Sequence, residues 1–167
     1  YAVSKRNAEL EIYRGIEEGL NAVFCNPGVI LGAGDWNVSS PQLFDKIYKG
    51  MRFYPVGMNG FVSVGDVAKA CVILAETNDY VGERFVLVSE NLTYRELFSK
   101  MAKHLGKANP SIAVPKFLAL IAGRALQAMG NLTNKEPMLT SESASTSGGA
   151  YRYDGGKFSR TFGFQYE

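Results

Sequence analysis

Tyr1-Ala-Val-Ser-Lys5 opens an amphipathic run that reaches Gly19, and Asn21-Ala-Val-Phe-Cys25-Asn26-Pro27-Gly28-Val29-Ile30-Leu31-Gly32 follows it at once. In the first stretch Val3, Leu10, Tyr13 and Ile16 recur on a helical period against Lys5, Arg6, Glu9, Arg14, Glu17 and Glu18. Gly19 supplies a C-terminal stop. Asn21 to Cys25 is too uniformly apolar to alternate, as in a strand covered on both faces, and Pro27-Gly28 ends it. Val29-Ile30-Leu31 then continues apolar to the turn at Gly32-Ala33-Gly34-Asp35. A helix followed so closely by a buried strand predicts a parallel α/β sheet.

The opening pair carries chemistry. Tyr1 and Lys5 are four residues apart, so on a helix they share a face one turn apart. A phenol titrates near about pH 10, and an ammonium beside it favours the phenolate and lowers that pKa. Such a tyrosine exchanges a proton with a hydroxyl or carbonyl near neutral pH. The same spacing also describes a Tyr and a Lys on an exposed turn, so the pair alone decides nothing.

A chain of 167 residues can bury one real core, and 46% apolar against 20% charged residues excludes wholesale disorder. The net charge is only +2 and the cations are scattered among Asp and Glu, so nucleic acid is not an expected partner. Cys25 and Cys71 lie in apolar runs and read as buried free thiols of a reducing compartment. No Cys/His cluster suggests a metal, and His104 reads as solvent-facing. The most apolar helical segment, Phe117 to Met129, is too short to span a bilayer and contains Arg124. With no signal peptide in this stretch, the reading is cytoplasmic and without a membrane partner. The chain has no initiator Met and begins inside a helical run, which reads as a fragment.

Further along, a helix is expected over 39–50, irregular chain over 51–60, and a short strand at Phe61-Val-Ser-Val64. Asp66 is expected to cap a helix running to about Thr77. Arg84-Phe-Val-Leu-Val88 reads as β, and Thr93-Tyr-Arg-Glu96 as a capping box opening a helix that stops at Gly106. A helix from Pro115 to near Gly130, a loose Ser/Gly/Ala-rich stretch over 140–150 and a short helix over 154–161 complete the chain.

This order of signals resembles the second half of an extended short-chain dehydrogenase/reductase, the family that includes the NAD-dependent epimerase/dehydratases. The matching residues are Tyr1-Ala-Val-Ser-Lys5, Asn26-Pro27-Gly28-Val29-Ile30-Leu31-Gly32 and Gly60-Phe-Val-Ser-Val-Gly-Asp66-Val67-Ala68. Glu83-Arg-Phe-Val-Leu-Val88 before Thr93-Tyr-Arg-Glu-Leu97 and Tyr153-Asp-Gly-Gly-Lys157 before Phe162-Gly163-Phe164 follow in order, so the likeness covers nearly the whole chain. It implies an α/β fold, namely the C-terminal part of a Rossmann-like parallel sheet plus a small, mostly helical substrate-binding subdomain. Residues 1–90 would hold the C-terminal part of the Rossmann-like domain with inserted substrate-domain elements, and 91–167 mainly the substrate-binding subdomain.

The resemblance also implies roles. Tyr1 would be the general acid/base, and Lys5 would lower its pKa and hydrogen-bond the nicotinamide ribose. Tyr1, Lys5, Pro27, Gly28 and Val29 would meet the cofactor, NAD or NADP. Asn26, Ile30, Leu31, Trp36 and Phe61 would line the pocket of a small-molecule substrate. From the residues alone, Pro27-Gly28 reads first as a plain strand-ending turn, and Trp36 and Phe61 are equally core.

No glycine-rich turn after a first strand is present to receive a pyrophosphate, nor the Ser/Thr that partners the tyrosine in this family. The chain alone is therefore expected to bind dinucleotide poorly and to turn nothing over. Its first strand would leave an open sheet edge and an apolar helix face, to be met by the missing N-terminal half or by self-association in a homo-oligomer. The wording Asn26-Pro27…Leu31-Gly32 is most similar to the dihydroflavonol and cinnamoyl-CoA reductase-like aldehyde/ketone reductases. Gly57-Met-Asn59-Gly60 lacks the Arg with which sugar-nucleotide enzymes of the family grip a diphosphate, although Arg52 is near in sequence. The expected function is NAD(P)-dependent carbonyl reduction or alcohol oxidation. The alternatives are a nucleoside-diphosphate-sugar epimerase or dehydratase and a non-catalytic interaction protein.

Overall fold

A computed structural model of the chain describes residues 2–36, 40–119, 121 and 147–167. Helix α1 (Ala2–Glu17) ends where Gly19 takes φ of 100°, a value that glycine adopts without a Cβ penalty. Strands β1 (Phe24–Pro27) and β2 (Val29–Leu31), helix α2 (Gln42–Tyr48), strands β3 (Phe53–Pro55) and β4 (Met58–Ser63) and helix α3 (Val64–Ala75) follow. Then come β5 (Arg84–Leu87), β6 (Glu90–Thr93), α4 (Tyr94–His104), β7 (Ile112–Val114) and α5 (Gly156–Phe162).

Parallel pairing dominates, as the helix-then-buried-strand pattern predicts. β1 pairs with β5 from Phe24↔Arg84 to Pro27↔Leu87, and β2 pairs with β4 from Val29↔Phe61 to Leu31↔Ser63, both parallel. β3 lies parallel to β7, and β6 runs antiparallel to β4. The first strand starts later than its apolar run suggests. Its ladder begins only where Phe24 N–H reaches the Glu83 carbonyl (2.9 Å), while Ala22 is held by a loop bond from Gly82.

Two adjacent residues of β4 divide the interior. Side chains alternate across a strand, so Phe61 enters a core with Ile47, Leu97, Phe98 and Met101, and Val62 enters another with Leu74, Phe85, Leu87 and Phe158. The pairing of β2 with β4 sorts the second strand in the same way. Val29 and Leu31 pack on the first core and Ile30 on the second.

Several local readings change. The stretch 51–60 holds β3 and the start of β4 instead of irregular chain, because β3 is stabilised by β7, a distant partner that no local pattern reveals. The expected helix over 39–50 is shorter, Gln42–Tyr48, and Ser39 lies outside the described residues. Asp66 is not the cap of α3. Ser63 is, its Oγ accepting from Asp66 N–H (3.0 Å), while the fully buried Asp66 carboxylate accepts from the Glu167 N–H (3.1 Å). The Thr93/Glu96 capping box is formed in both directions, and Gly106 stops α4 with φ of 64°. Most of the helix expected from Pro115 to Gly130 and of the stretch 140–150 lies outside the described residues.

The thiols are also placed differently. Cys71 is exposed and Cys25 half-buried, because the run Val67–Ala75 has no polar period to say which face of α3 turns outward. Burial pushes the Cys25 thiol up to about 12, with Cys71 Sγ at 3.9 Å adding to it, so Cys25 stays protonated. His104 is exposed. No helix among the described residues is long and apolar enough to cross a membrane. No group of three His, Cys, Asp or Glu among them is arranged to hold a metal ion.

Candidate functional site

β1 and β5 end side by side at Pro27 and Leu87, and the chain leaves β1 through Gly28 into β2 of the neighbouring sheet. In open parallel α/β sheets ligands bind beyond the carboxyl ends of the strands. A pocket of about 400 Å³ opens there. Asn26, Pro27, Gly28 and Val29 form one wall, Arg84 and Val86 of β5 another, and Asn59 and Tyr153 close it. Strand alternation separates pocket from core. Arg84 and Val86 lie two apart on one face of β5 and Asn26 sits opposite Val86, whereas Phe85 and Leu87 face the core.

Helix α1 is tied to this wall by polar bonds. Arg84 donates Nη1 to Glu9 Oε1 (3.2 Å) and Nη2 to Glu9 Oε2 (2.8 Å), and Asn26 Nδ2 donates to Glu9 Oε1 (3.3 Å). One turn further along α1, the ring of Tyr13 lies 4.6 Å from that of Phe24. These contacts give the helix direction. Going from Tyr13 to Glu9 along α1 corresponds to going from Phe24 to Asn26 along β1, about 6 Å in each element. α1 therefore runs antiparallel to β1 and carries Lys5 toward the Gly28 end, where the pocket lies.

The charges at the wall are matched. The Arg84 guanidinium, with help from the Asn26 amide, holds the Glu9 carboxyl below the usual carboxylate range, and Glu9 in turn raises the pKa of Arg84. A lowered carboxyl pKa contributes stability above the unfolded group's pKa. That contribution is lost as pH falls through the folded-state value. Asn26 Oδ1 is buried and has no hydrogen-bond partner, an orphan acceptor in the pocket wall. Asn59 is occupied locally, its Oδ1 accepting from Gly60 N–H (2.9 Å).

Gly28 is required by close approach. A Cβ there would meet the Gly60 carbonyl oxygen at 2.5 Å and Val88 Cγ2 at 3.0 Å. Because the first of these is backbone, Gly28→Ala must push β2 from β4, at a cost of about 1–3 kcal/mol for overpacking. We expect its urea midpoint to fall with an unchanged slope. A midpoint equal to wild type would mean that the two glycines are not in contact.

The sequence-predicted residues divide between the pocket and its surroundings. Asn26, Pro27, Gly28 and Val29 line the pocket together. Lys5 is exposed on α1, one turn before Glu9, and Tyr1 lies outside the described residues. Phe61 is buried in the first core, Ile30 and Leu31 pack half-buried against the two cores, and Trp36 lies edge-on to Tyr48 at 6.0 Å. None of these four is on the pocket wall, and neither is Arg52. Asn59, Arg84, Val86 and Tyr153 were not anticipated. For Arg84 a signal exists, since a cation heading an apolar strand needs a partner, and Glu9 on α1 supplies it.

No protein-family model matches the chain. Over 116 residues it is 29% identical to sterol demethylase protein B of Methylococcus capsulatus, a match that takes in 68% of this chain and 34% of that protein. Its fold is similar to a nucleoside-diphosphate-sugar epimerase from Pseudomonas aeruginosa, with a TM-score of 0.73 at 22% identity over 98% of this chain and 48% of the other. It is also similar to a dTDP-glucose 4,6-dehydratase from Streptomyces venezuelae solved with NAD bound (TM-score 0.62, 18% identity, 100% and 46% of the two chains). The chain thus has a mixed α/β fold with parallel strands that matches these Rossmann-like epimerase/dehydratase structures. It spans about half the length of each solved chain and about a third of the curated relative.

Proposed function

We propose that this chain supplies the nicotinamide- and substrate-facing part of an NAD(P)-dependent oxidoreductase acting at a carbon that bears a hydroxyl or carbonyl. The observation that carries the reading is the approach of α1. It brings Lys5 toward a pocket made of Asn26-Pro27-Gly28-Val29, the residues on which the family resemblance rests.

The pocket suits the nicotinamide end of a dinucleotide. Its volume falls in the range of small-molecule sites. The buried, unpartnered Asn26 Oδ1 in its wall is an acceptor that a ligand amide would satisfy. The pocket's charge is already balanced by the Glu9–Arg84 pair, which leaves no free cation for a phosphate among the described residues of the wall. When bound, the nicotinamide supplies or accepts the hydride. Lys5 would bind the adjoining ribose and keep the phenol of Tyr1 acidic. Tyr1 would give a proton to the carbonyl oxygen on reduction and take it back on oxidation. Pro27, Gly28 and Val29 would hold the carboxamide through their backbone, and Asn26 would shape the substrate side.

A carbonyl reductase is our leading reading. Among the described residues that line the pocket, Arg84 is the one cation, and Glu9 occupies both arms of its fork. A diphosphate would find no unpaired fork at this wall. The second reading, a nucleoside-diphosphate-sugar epimerase or dehydratase, is supported by the fold likeness to enzymes so described. Both use the same redox step.

The test is made on the full product of the gene. Binding of NAD or NADP by titration, with consumption of reduced nicotinamide on addition of aldehydes or ketones, is the expected result. Turnover of a nucleotide sugar without net nicotinamide consumption would replace the first reading by the second. Absence of dinucleotide binding by the full product would overturn both. We further propose that the region binding the dinucleotide phosphates comes from outside this chain, and that the exposed Val3 and Leu10 of α1 are covered in the working protein by that region or by a second copy.

A further inference from the structure

We infer that Glu9 is a positioning residue, whose two-pronged grip on Arg84 sets the height of α1 against β1 and so holds Lys5 at the pocket. The inference rests on the functional reading above for what Lys5 does there. The placement itself rests on the geometry of this chain.

Helix α1 has no buried residue. An apolar face pressed into a core resists sliding, because ridges seat in grooves. Among the described residues α1 has only the Tyr13–Phe24 ring contact and the part-buried Ile16 to serve in that way, and a slip of one turn would move Lys5 by about 5.4 Å. Its height is therefore set largely by directional bonds. The Glu9 carboxylate meets both arms of the Arg84 fork at 3.2 and 2.8 Å, a planar match that tolerates little shear. Asn26 adds a third bond to the same carboxylate. The Arg84 fork is itself braced on β1, its Cζ lying 5.3 Å over the ring of Phe24.

The cluster is more than a surface ion pair, which would be worth little. Its third member, Asn26, is a pocket residue whose other carboxamide atom is buried without a partner. Glu9 orients that amide as well as the helix. Lys5 is one turn from Glu9 on the same face of α1, so any tilt permitted by a broken fork is passed directly to the ammonium.

The experiment compares Glu9→Gln and Glu9→Asp with wild type in the full gene product. Glu9→Gln keeps the side-chain length but loses the charge and one acceptor. We expect kcat to fall on the order of tenfold to a hundredfold, as for a catalytic group misplaced by about an ångström. The KM of the carbonyl substrate should stay nearly unchanged, and the apparent pKa of the proton-transferring group should rise because the ammonium is held less firmly. Amides of α1 should exchange hydrogen several-fold faster while those of β1 and β5 do not. Glu9→Asp, which keeps the charge, should recover part of kcat and of the pH profile. An unchanged kcat and pH profile in an active Glu9→Gln protein would overturn the inference alone. A wild-type protein with no nicotinamide-dependent turnover would overturn the functional reading and the catalytic half of the inference with it. Unchanged exchange in α1 would overturn the structural half.

Discussion

Phe85→Ala is expected to cost about 3–5 kcal/mol, the usual range for deleting a fully buried aromatic ring. Phe85 is completely enclosed at the centre of β5. Its ring meets Tyr80 at 5.7 Å, Phe158 at 5.8 Å and Phe162 at 5.4 Å, and the Lys157 ammonium stands 4.7 Å from its centroid. The surrounding aromatics belong to α5 and to the loop before β5, so a cavity here loosens three segments at once. Folded domains are stable by only about 5–15 kcal/mol, and the loss is a large share of that. Thermal or urea unfolding of the purified variant measures it. A change below about 1 kcal/mol would show that the site collapses around alanine and that the ring is not a keystone. Phe85→Leu should cost much less, because most of the volume remains. The effect should also reach the pocket, since Arg84 and Val86 on either side of Phe85 form its wall.

That coupling shows what local sequence patterns can carry. The helix over Ala2–Glu17, the Thr93 capping box and the parallel class of the sheet were legible, since each rests on neighbours in the chain or on an unbroken apolar run. β3 and β7 were not, because each is three residues long and exists through its distant partner. The pocket was half legible. Asn26 to Val29 are contiguous and carry the Pro-Gly punctuation, whereas Arg84, Asn59 and Tyr153 reach the same cavity from three separate places in the chain. Phe61 illustrates the converse. Its place in the motif favoured the pocket, but β4 alternates, and the pairing with β2 turns Phe61 into the core beside Val29 and Leu31. The Glu9–Arg84 pair spans the distance from α1 to β5 and became visible only once the strands were in register.

Replacing Tyr1 by Phe in the full protein is expected to lower turnover by about 10²–10⁴-fold, the usual contribution of a positioned acid/base group. Dinucleotide affinity should stay nearly unchanged, because the phenyl ring is retained and only the proton-transferring oxygen is lost. Lys5→Ala should behave differently. An ammonium that both binds the ribose and keeps the phenol acidic serves the ground state and the transition state together, so its loss should weaken dinucleotide binding and slow turnover. The pH dependence separates the two roles. In Lys5→Ala the residual rate of alcohol oxidation, which needs the phenolate, should rise with pH to a higher apparent pKa, and that of carbonyl reduction, which needs the phenol, should persist to higher pH, since nothing then lowers the phenol below its ordinary value of about 10. In Tyr1→Phe that ionisation should vanish from the profile. Wild-type turnover by Tyr1→Phe would remove the tyrosine from the chemistry and leave Lys5 as a binding residue only. Since α1 runs with its amino end toward the pocket, that outcome would be compatible with a binding role for Lys5. Affinity and rate measured together on both variants therefore tell a binding site from an acid/base centre at the same place in the fold.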